Sequence, residues 1–265
     1  MASSGSTSTS SWGGIILAHI SKAKSATTYA SQISYNPIIP SVGHTRVLHV
    51  EAGELNEQIR CSLRQTPLDE THPQAVVYEA LSYTWGDPKP AHKILLDGME
   101  VGVPANLHAA LRRFRNEHEK NSGVIWIDFL CINQEDTDGK NAQVAMMRQV
   151  YEQAHRVVVW LGGDSKDGDI AYHFLYEATV YMNNAYQEEW LIRAVDATYN
   201  EKRWRALSRF FDREYWTRIW IVQEVVSEGL VDVWWGEKHV LSWQEFAALG
   251  SMMYTYQSSM SQKPA

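Results

Sequence analysis

Short apolar runs alternate with helix-periodic segments in the middle of this 265-residue chain, and this alternation constrains the fold more than any other feature. The runs VIWID (residues 124–128) and VVVWL (residues 157–161) have the length and composition of buried parallel strands. Apolar residues spaced three and four apart precede each run, over residues 107–114 and 147–154, and predict helices. Strands that alternate with helices indicate a parallel sheet covered by helices. The predicted fold class is therefore α/β, with a short parallel β-sheet flanked by helices.

Two β-hairpins and a tryptophan-rich region complete the predicted architecture. The segment KILLDGMEVGV has Asp97-Gly98 at its centre, a dipeptide that favours a two-residue hairpin turn. A second added hairpin is predicted around Gly236, between VDVWW and KHVLS. Eight of the eleven tryptophans lie between Trp160 and Trp243, where the apolar spacing is mostly helical. We therefore expect a Trp-rich helical second half that packs on the sheet.

Hydrophobic periodicity divides the chain into three parts. Residues 1–40 are rich in Ser, Thr, Ala and Gly and lack the apolar content of a folded unit, so they are predicted to form a flexible leader. Residues 41–253 contain the strand and helix signals and are predicted to form one domain. Residues 254–265 are predicted to be a disordered tail or to mark a truncation point in a longer protein.

Composition and charge exclude several classes of function. A net charge of −7 and a pI near 5.8 argue against a nucleic-acid partner. The one basic cluster, Arg112, Arg113 and Arg115, is interpreted as the solvated face of a helix. Two cysteines, Cys61 and Cys131, are too few for a disulfide scaffold or a four-cysteine zinc site. No apolar stretch is long enough to span a bilayer, so we expect no membrane span. The start of the sequence lacks the features of a secretory signal, so we expect an intracellular protein.

The sequence also lacks the motifs of several common catalytic sites. It contains no GxxxxGK[ST], GxGxxG, HExxH or GxSxG segment, and its ten histidines show no metal-ligand spacing. No metal and no cofactor are therefore predicted. Cys131 is interpreted as a small buried side chain rather than a nucleophile, because no neighbour in the sequence would lower its pKa.

Polar residues follow two of the predicted strands. One set ends the segment YEALSYTWG and comprises Ser82, Tyr83, Trp85 and Gly86. The other follows VIWID and comprises Asp128, Asn133 and Gln134. Ligands of parallel sheets bind at the carboxyl ends of the strands, so these residues are predicted to bind substrate. The segment IWIDFLCINQ is predicted to be a strand and a site loop, in which Asp128 either caps backbone amides or contacts a ligand.

Four consecutive motifs resemble the fungal heterokaryon incompatibility (HET) domain. They read YEALSYTWGDP, VPANLHAALRRFR, IWIDFLCINQED and NAQVAMMRQVYEQAHRVVVWLG, and the resemblance covers roughly residues 45–240. One departure is Gly139-Lys140, where the family usually carries Glu-Arg. The resemblance implies that residues 41–253 form a cytoplasmic module of non-self recognition that triggers programmed cell death. It also implies partners: self-association and other cell-death signalling proteins.

HET domains in turn resemble Toll/interleukin-1 receptor (TIR) domains, many of which hydrolyse NAD⁺. The segment RIWIVQEV is similar to the TIR segment that carries the catalytic glutamate, which implies that Glu224 is catalytic and that Arg218 and Trp220 lie in the substrate site. NAD⁺ is then a substrate, cleaved to release nicotinamide, and the core is TIR-like. As an alternative, Glu224 is an exposed helix acid paired with Arg218 or Arg213, which would contribute little to stability. The domain would then be a non-enzymatic module that oligomerises and recruits death effectors.

Overall fold

The structure is a computed structural model that describes residues 33–38, 43–54, 56–118, 123–163, 165, 167–182, 197–218, 221–225, 229–237, 239–247 and 250. Within these residues the strands are β1 His44–Val50, β2 Arg60–Pro67, β3 Glu79–Tyr83, β4 Pro90–Leu96, β5 Met99–Pro104, β6 Gly123–Trp126, β7 Arg156–Trp160, β8 Leu230–Trp235 and β9 His239–Ser242. The helices are α1 Ala105–Glu117, α2 Asp128–Cys131, α3 Thr137–Ala145, α4 Met147–Glu152, α5 Gly168–Met182, α6 Ala197–Phe211 and α7 Ile221–Val225. A 3₁₀ turn, Glu214–Thr217, follows α6 and precedes α7 in the chain.

All these strands belong to one mixed sheet, in the order β5-β4-β2-β1-β6-β3-β7-β8-β9. Its centre, β6-β3-β7-β8, is parallel, as the alternating strand and helix segments predict. Antiparallel pairs extend it at both sides, through β1 with β6 and β2, and through β8 with β9. The prediction of an α/β fold is confirmed. The prediction of a short, parallel sheet was wrong, because β1 joins β6 along its free edge and brings β2, β4 and β5 into the same sheet.

Both predicted hairpins form at the expected turns. Asp97 and Gly98 have φ angles of +50° and +79°, the left-handed conformations that the two-residue turn between β4 and β5 requires. Gly236 has a φ angle of +61° in the turn that joins β8 to β9. The hairpins pair in the same sheet as the parallel strands and therefore enlarge it.

Buried apolar side chains of the central strands form the core. Leu48, Ala80, Trp126 and Val157 are essentially inaccessible to solvent. The Trp126 indole N–H donates to Thr45 Oγ1 at 3.1 Å, so the one polar group of this buried ring is satisfied. The core is therefore a layer between the sheet and its helices, and it fixes the positions of the strand ends.

The described part of the second half contains strands as well as helices. Strands β7, β8 and β9 all lie there, and the buried Trp234 and Trp235 belong to β8 rather than to a helix. The VDVWW run is buried as a strand beside β7, as the predicted hairpin requires, because its alternating and β-branched side chains fit a sheet. Helices α5 and α6 cover this region, as expected.

The predicted leader and tail lie largely outside the described residues, so their flexibility stays a prediction. The described part of the leader, residues 33–38, contacts the domain: Ile33 is buried, and the carbonyl of Asn36 accepts a hydrogen bond from Arg46 at 2.7 Å. Among the described residues, no helix is long and apolar enough to cross a membrane.

Candidate functional site

The carboxyl edge of the parallel strands carries a cluster of polar side chains from three separate elements. Ser82 is the penultimate residue of β3, Asp128 is the first residue of α2 just beyond β6, and Glu224 lies in α7. The segment IWIDFLCINQ is thus the end of β6 followed by the one-turn helix α2, rather than the strand and loop predicted from the sequence. The turn forms because the carbonyl of Ile127 accepts from the amides of Leu130 and Cys131.

Glu224 is the most deeply buried charged residue of this cluster. Its side chain is 1% exposed, and the Arg218 guanidinium binds both carboxylate oxygens, at 2.8 and 2.9 Å. Burial opposes the charge on Arg218, but the carboxylate of Glu224 outweighs it and raises the pKa of Arg218 above its usual value. The alternative interpretation of Glu224 was correct about Arg218 as its partner and wrong about exposure. Arg213 instead donates to the carbonyl of Leu161.

Two buried hydroxyl groups continue the network from Glu224 into the sheet. Ser82 Oγ donates to Glu224 Oε2, and Ser82 Oγ lies 2.7 Å from the Tyr215 hydroxyl. Because a serine hydroxyl has a single proton, which goes to the carboxylate, the Tyr215 hydroxyl donates to Ser82. Burial and the nearby Glu224 raise the pKa of Tyr215, so this tyrosine stays a proton donor. Tyr215, Ser82 and Glu224 therefore form a one-way chain of donors ending at the carboxylate.

Asp128 is the second carboxylate of this edge, and it is held by an indole and a backbone amide. The residue is partly exposed, and its oxygens accept from the Trp85 indole at 2.8 Å and from the Phe129 amide at 2.7 Å. Burial of the carboxylate among these groups raises its pKa to about 6, against the lowering effect of Arg218 and the Trp85 bond. The edge of Phe129 also meets the Trp85 ring, with centroids 5.4 Å apart. Asp128 therefore binds a backbone amide of the turn, as one interpretation held.

Of the remaining predicted site residues, two are buried and two are at least partly exposed. Tyr83 is buried beside Asp128; burial and that carboxylate raise the pKa of its hydroxyl well above the usual value. Gln134 is also buried and donates to the carbonyl of Asp128 at 3.0 Å. Gly86 is exposed, with a φ angle of +65° that turns the chain after Trp85. Asn133 is partly exposed and caps the amide of Glu135 at 3.1 Å, and Trp220 lies outside the described residues.

Tyr215 is the site residue that the sequence did not indicate. It lies in the 3₁₀ turn Glu214–Thr217, where no hydrophobic periodicity marks which side chain points inward. The Arg218 guanidinium lies over its ring, 5.5 Å from the centroid. A signal existed only in the spacing: Tyr215 and Arg218 are three residues apart, so one tight turn brings Arg218 to the Glu224 carboxylate and Tyr215 to Ser82, which binds the same carboxylate.

Cys131, the other candidate that the sequence raised, is structural. Its side chain is completely buried, and burial raises the pKa of its thiol to about 12. Its sulfur accepts from the amide of Ile127 at 3.3 Å and thereby supports the turn that carries Asp128. A thiol with this pKa is not a nucleophile at neutral pH, which confirms the interpretation from the sequence.

Replacing Ser82 with Ala is expected to lower the free energy of unfolding by about 1–3 kcal/mol, because the buried carboxylate loses a donor and the buried tyrosine loses an acceptor. Tyr215→Phe removes only the outer hydroxyl and should cost less. Chemical denaturation of both variants and of the double variant measures the coupling. Strictly additive effects would contradict a connected Tyr215–Ser82–Glu224 chain.

The fold and the site define an α/β module with a polar cluster at the carboxyl edge of its parallel strands. The profile of the heterokaryon incompatibility protein (HET) family matches residues 78–224, more than half of the chain, and it spans β3, Asp128 and Glu224. The chain therefore belongs to the HET family.

One curated fungal protein is similar to this chain over most of the length of this chain. It is heterokaryon incompatibility protein 6, OR allele, of Neurospora crassa, with 29% identity over 68% of this chain. The matched region is 31% of that protein, so the chain spans about a third of its relative's length. No solved structure matches the chain.

Proposed function

We propose that this chain triggers programmed cell death in fungal non-self recognition, and that it does so by cleaving NAD⁺ after self-association. Its place in the HET family and its similarity to a Neurospora heterokaryon incompatibility protein support the first part. The buried carboxylate of Glu224 at the carboxyl edge of the parallel strands is the observation that carries the second, because α/β sheets bind their ligands at that edge. The resemblance of RIWIVQEV to a TIR segment adds support and suggests a TIR-like core.

The chemistry of NAD⁺ cleavage requires few protein groups. Nicotinamide leaves as a neutral pyridine, so the bond between ribose C1′ and the ring nitrogen breaks without a general acid. Positive charge then develops on the ribose, and a fixed carboxylate such as Glu224 stabilises it. Water adds to C1′ and loses a proton, which gives ADP-ribose, nicotinamide and H⁺. We assign Asp128 to accept that proton, since a carboxyl with a pKa of about 6 is ionised at neutral pH.

Activation must open this site. Both oxygens of Glu224 are bound by Arg218, and the side chain is 1% exposed, so a ribose contacts the carboxylate only after Arg218 has moved. Breaking a buried ion pair is costly, and an assembly interface is one source of the free energy required. In this proposal the isolated chain is nearly inactive, and self-association makes Glu224 accessible.

Nicotinamide release is expected to rise more steeply than in proportion to protein concentration, because only the assembled form exposes Glu224. The measurement incubates the purified chain with NAD⁺ over a wide range of protein concentrations, and it records nicotinamide by chromatography and assembly by light scattering. Absence of nicotinamide from a protein that demonstrably assembles would refute NAD⁺ cleavage by this chain.

A second function is favoured by the same ion pair. A bidentate arginine–carboxylate pair with a supporting hydroxyl is also what a purely structural buried pair requires. The domain would then kill by recruiting other cell-death proteins, and the strand-end residues would serve packing. The two functions differ in one observable: recruitment leaves the NAD⁺ content of the dying host unchanged, whereas cleavage depletes it before death.

A further inference from the structure

A cleft separate from the carboxylate cluster lies beside helix α1. It has a volume of about 340 Å³ and is lined by residues of the segment before β2, including Gln58, and by His108, Arg112 and Arg115 of α1. Positions 108, 112 and 115 are four and three residues apart, so they share one face of the helix. The volume is at the lower end of the range for small-molecule sites.

The basic cluster of α1 is not the solvated helix face that the sequence suggested. Arg115 is 2% exposed, and the carbonyls of Glu54 and Glu57 accept from its guanidinium at 2.7 and 3.1 Å. Arg113 is also buried, with its guanidinium 4.6 Å from the ring centroid of Trp234. Of the three arginines, Arg115 is thus fixed as a cation in the cleft wall, while Arg113 supports the core.

Arg112 is the cation of the cleft that can change partners. It pairs with Glu237 at 3.1 Å, and both side chains are about half exposed. Such surface ion pairs contribute little free energy, so a stronger anion can replace Glu237 at small cost. The one carboxylate that lines the cleft, Glu57, is exposed and accepts from the amide of Glu54.

His108 responds to the positive potential of the cleft. Its ring stacks on His92, with centroids 4.3 Å apart and planes 20° from parallel. Burial, followed by the charges of His92, Arg112 and Arg115, lowers the pKa of His108 to about 4. A positive potential here is notable because the chain as a whole has a net charge of −7. An anionic ligand would reverse the effect and raise this pKa.

We propose that the cleft is a binding site for a diphosphate group. The Arg112 guanidinium supplies charge-assisted hydrogen bonds in the forked geometry that suits phosphate oxygens, and the Gln58 amide adds a neutral donor. The Arg115 guanidinium, held by the Glu54 and Glu57 carbonyls, adds positive charge to the cleft wall. His108, neutral at pH 7, donates from a ring nitrogen. The site shares no residue with the Glu224 cluster, and the proposal does not depend on NAD⁺ cleavage.

Inorganic pyrophosphate is the first probe, titrated into the full chain by calorimetry at constant ionic strength. Arg112→Gln is expected to weaken binding at least tenfold, because one charge-assisted contact is lost. Glu237→Gln is expected to tighten binding several-fold, because it removes the competitor for Arg112. The matched controls are Arg148→Gln and Glu152→Gln, which break an exposed ion pair of the same kind on α4 and change the net charge equally. Each control should alter affinity less than twofold.

A nuclear magnetic resonance titration of the His108 ring supplies an independent readout. Saturating pyrophosphate is expected to raise the pKa of His108, and ADP is expected to bind at least as tightly as pyrophosphate. Failure of pyrophosphate to bind, binding of ADP alone, or equal weakening by Arg112→Gln and Arg148→Gln would each overturn the proposal. Melting temperatures close to wild type confirm that the variants are folded.

Discussion

Replacing Glu224 with Gln is expected to slow nicotinamide release from NAD⁺ by about 100-fold or more and to lower the free energy of unfolding by about 3–5 kcal/mol. The rate falls because the glutamine amide carries no negative charge to stabilise a cationic ribose. The stability loss follows because Arg218, with a side chain 16% exposed, would remain a buried cation without its carboxylate. Initial rates in the assembled protein and urea unfolding measure the two effects.

Glu79 provides a matched control at the opposite end of the same strand. It is the first residue of β3, it is 8% exposed, and Arg156 binds both of its oxygens at 2.9 and 3.0 Å. Glu79→Gln therefore also removes a buried carboxylate from an arginine pair, although Arg156 keeps Asp232 as a second partner at 3.1 Å. We expect it to reduce stability and leave the rate per folded molecule unchanged. A comparable fall in rate would mean that stability, not Glu224 chemistry, controls activity.

A double variant separates catalysis from folding. Glu224→Leu with Arg218→Met removes both charges, and apolar side chains that replace a buried ion pair often retain or increase stability. Its melting temperature is expected to exceed that of Glu224→Gln, while nicotinamide release and cell killing in a fungal host stay absent. Undiminished killing by the folded double variant would remove Glu224 as the catalytic residue and favour the recruitment module.

Local patterns predicted the central strands, the hairpins and the edge on which the polar residues meet. These features depend on short-range signals: the VIWID and VVVWL runs, and the Asp97-Gly98 turn. The mixed character of the sheet did not follow from them. Strand β1 pairs with β6, more than 70 residues later in the chain, and β2 pairs in parallel with β4. Such pairings are selected by the packing of the whole sheet, and no local spacing encodes them.

The burial of charged residues was the other feature that the sequence did not predict. Glu224, Arg218 and Arg115 belong to residue types that are mostly exposed, so exposure was the reasonable expectation for each. Their burial depends on partners distant in the chain: Ser82 for Glu224, and the Glu54 and Glu57 carbonyls for Arg115. A charged residue in an otherwise apolar helix face gives no sign of a partner until the elements are assembled.

The stability of the wild type is expected to fall relative to Asp128→Asn as the pH rises from about 4 to 7. Burial raises the folded pKa of Asp128 to about 6, above the value of roughly 3.9 in an unfolded chain. The folded state therefore binds the Asp128 proton more tightly than the unfolded state does. The stabilisation from this proton is complete below pH 4, and it is lost as the pH rises through 6. Asparagine keeps a neutral group of similar shape at all these pH values.

The difference in unfolding free energy between the two proteins reports the titration of Asp128, because both proteins share the other titrating groups. We expect the difference to change by about 2–3 kcal/mol in favour of Asp128→Asn between pH 4 and pH 7.5, since each pKa unit corresponds to about 1.4 kcal/mol. Asp138→Asn, which removes an exposed acid of α3, serves as the control for the change in net charge. A difference that does not vary with pH would show that solvent and the Trp85 indole already stabilise the charged carboxylate. In that case Asp128 would be ionised well below neutral pH and too weak a base to accept a proton from water.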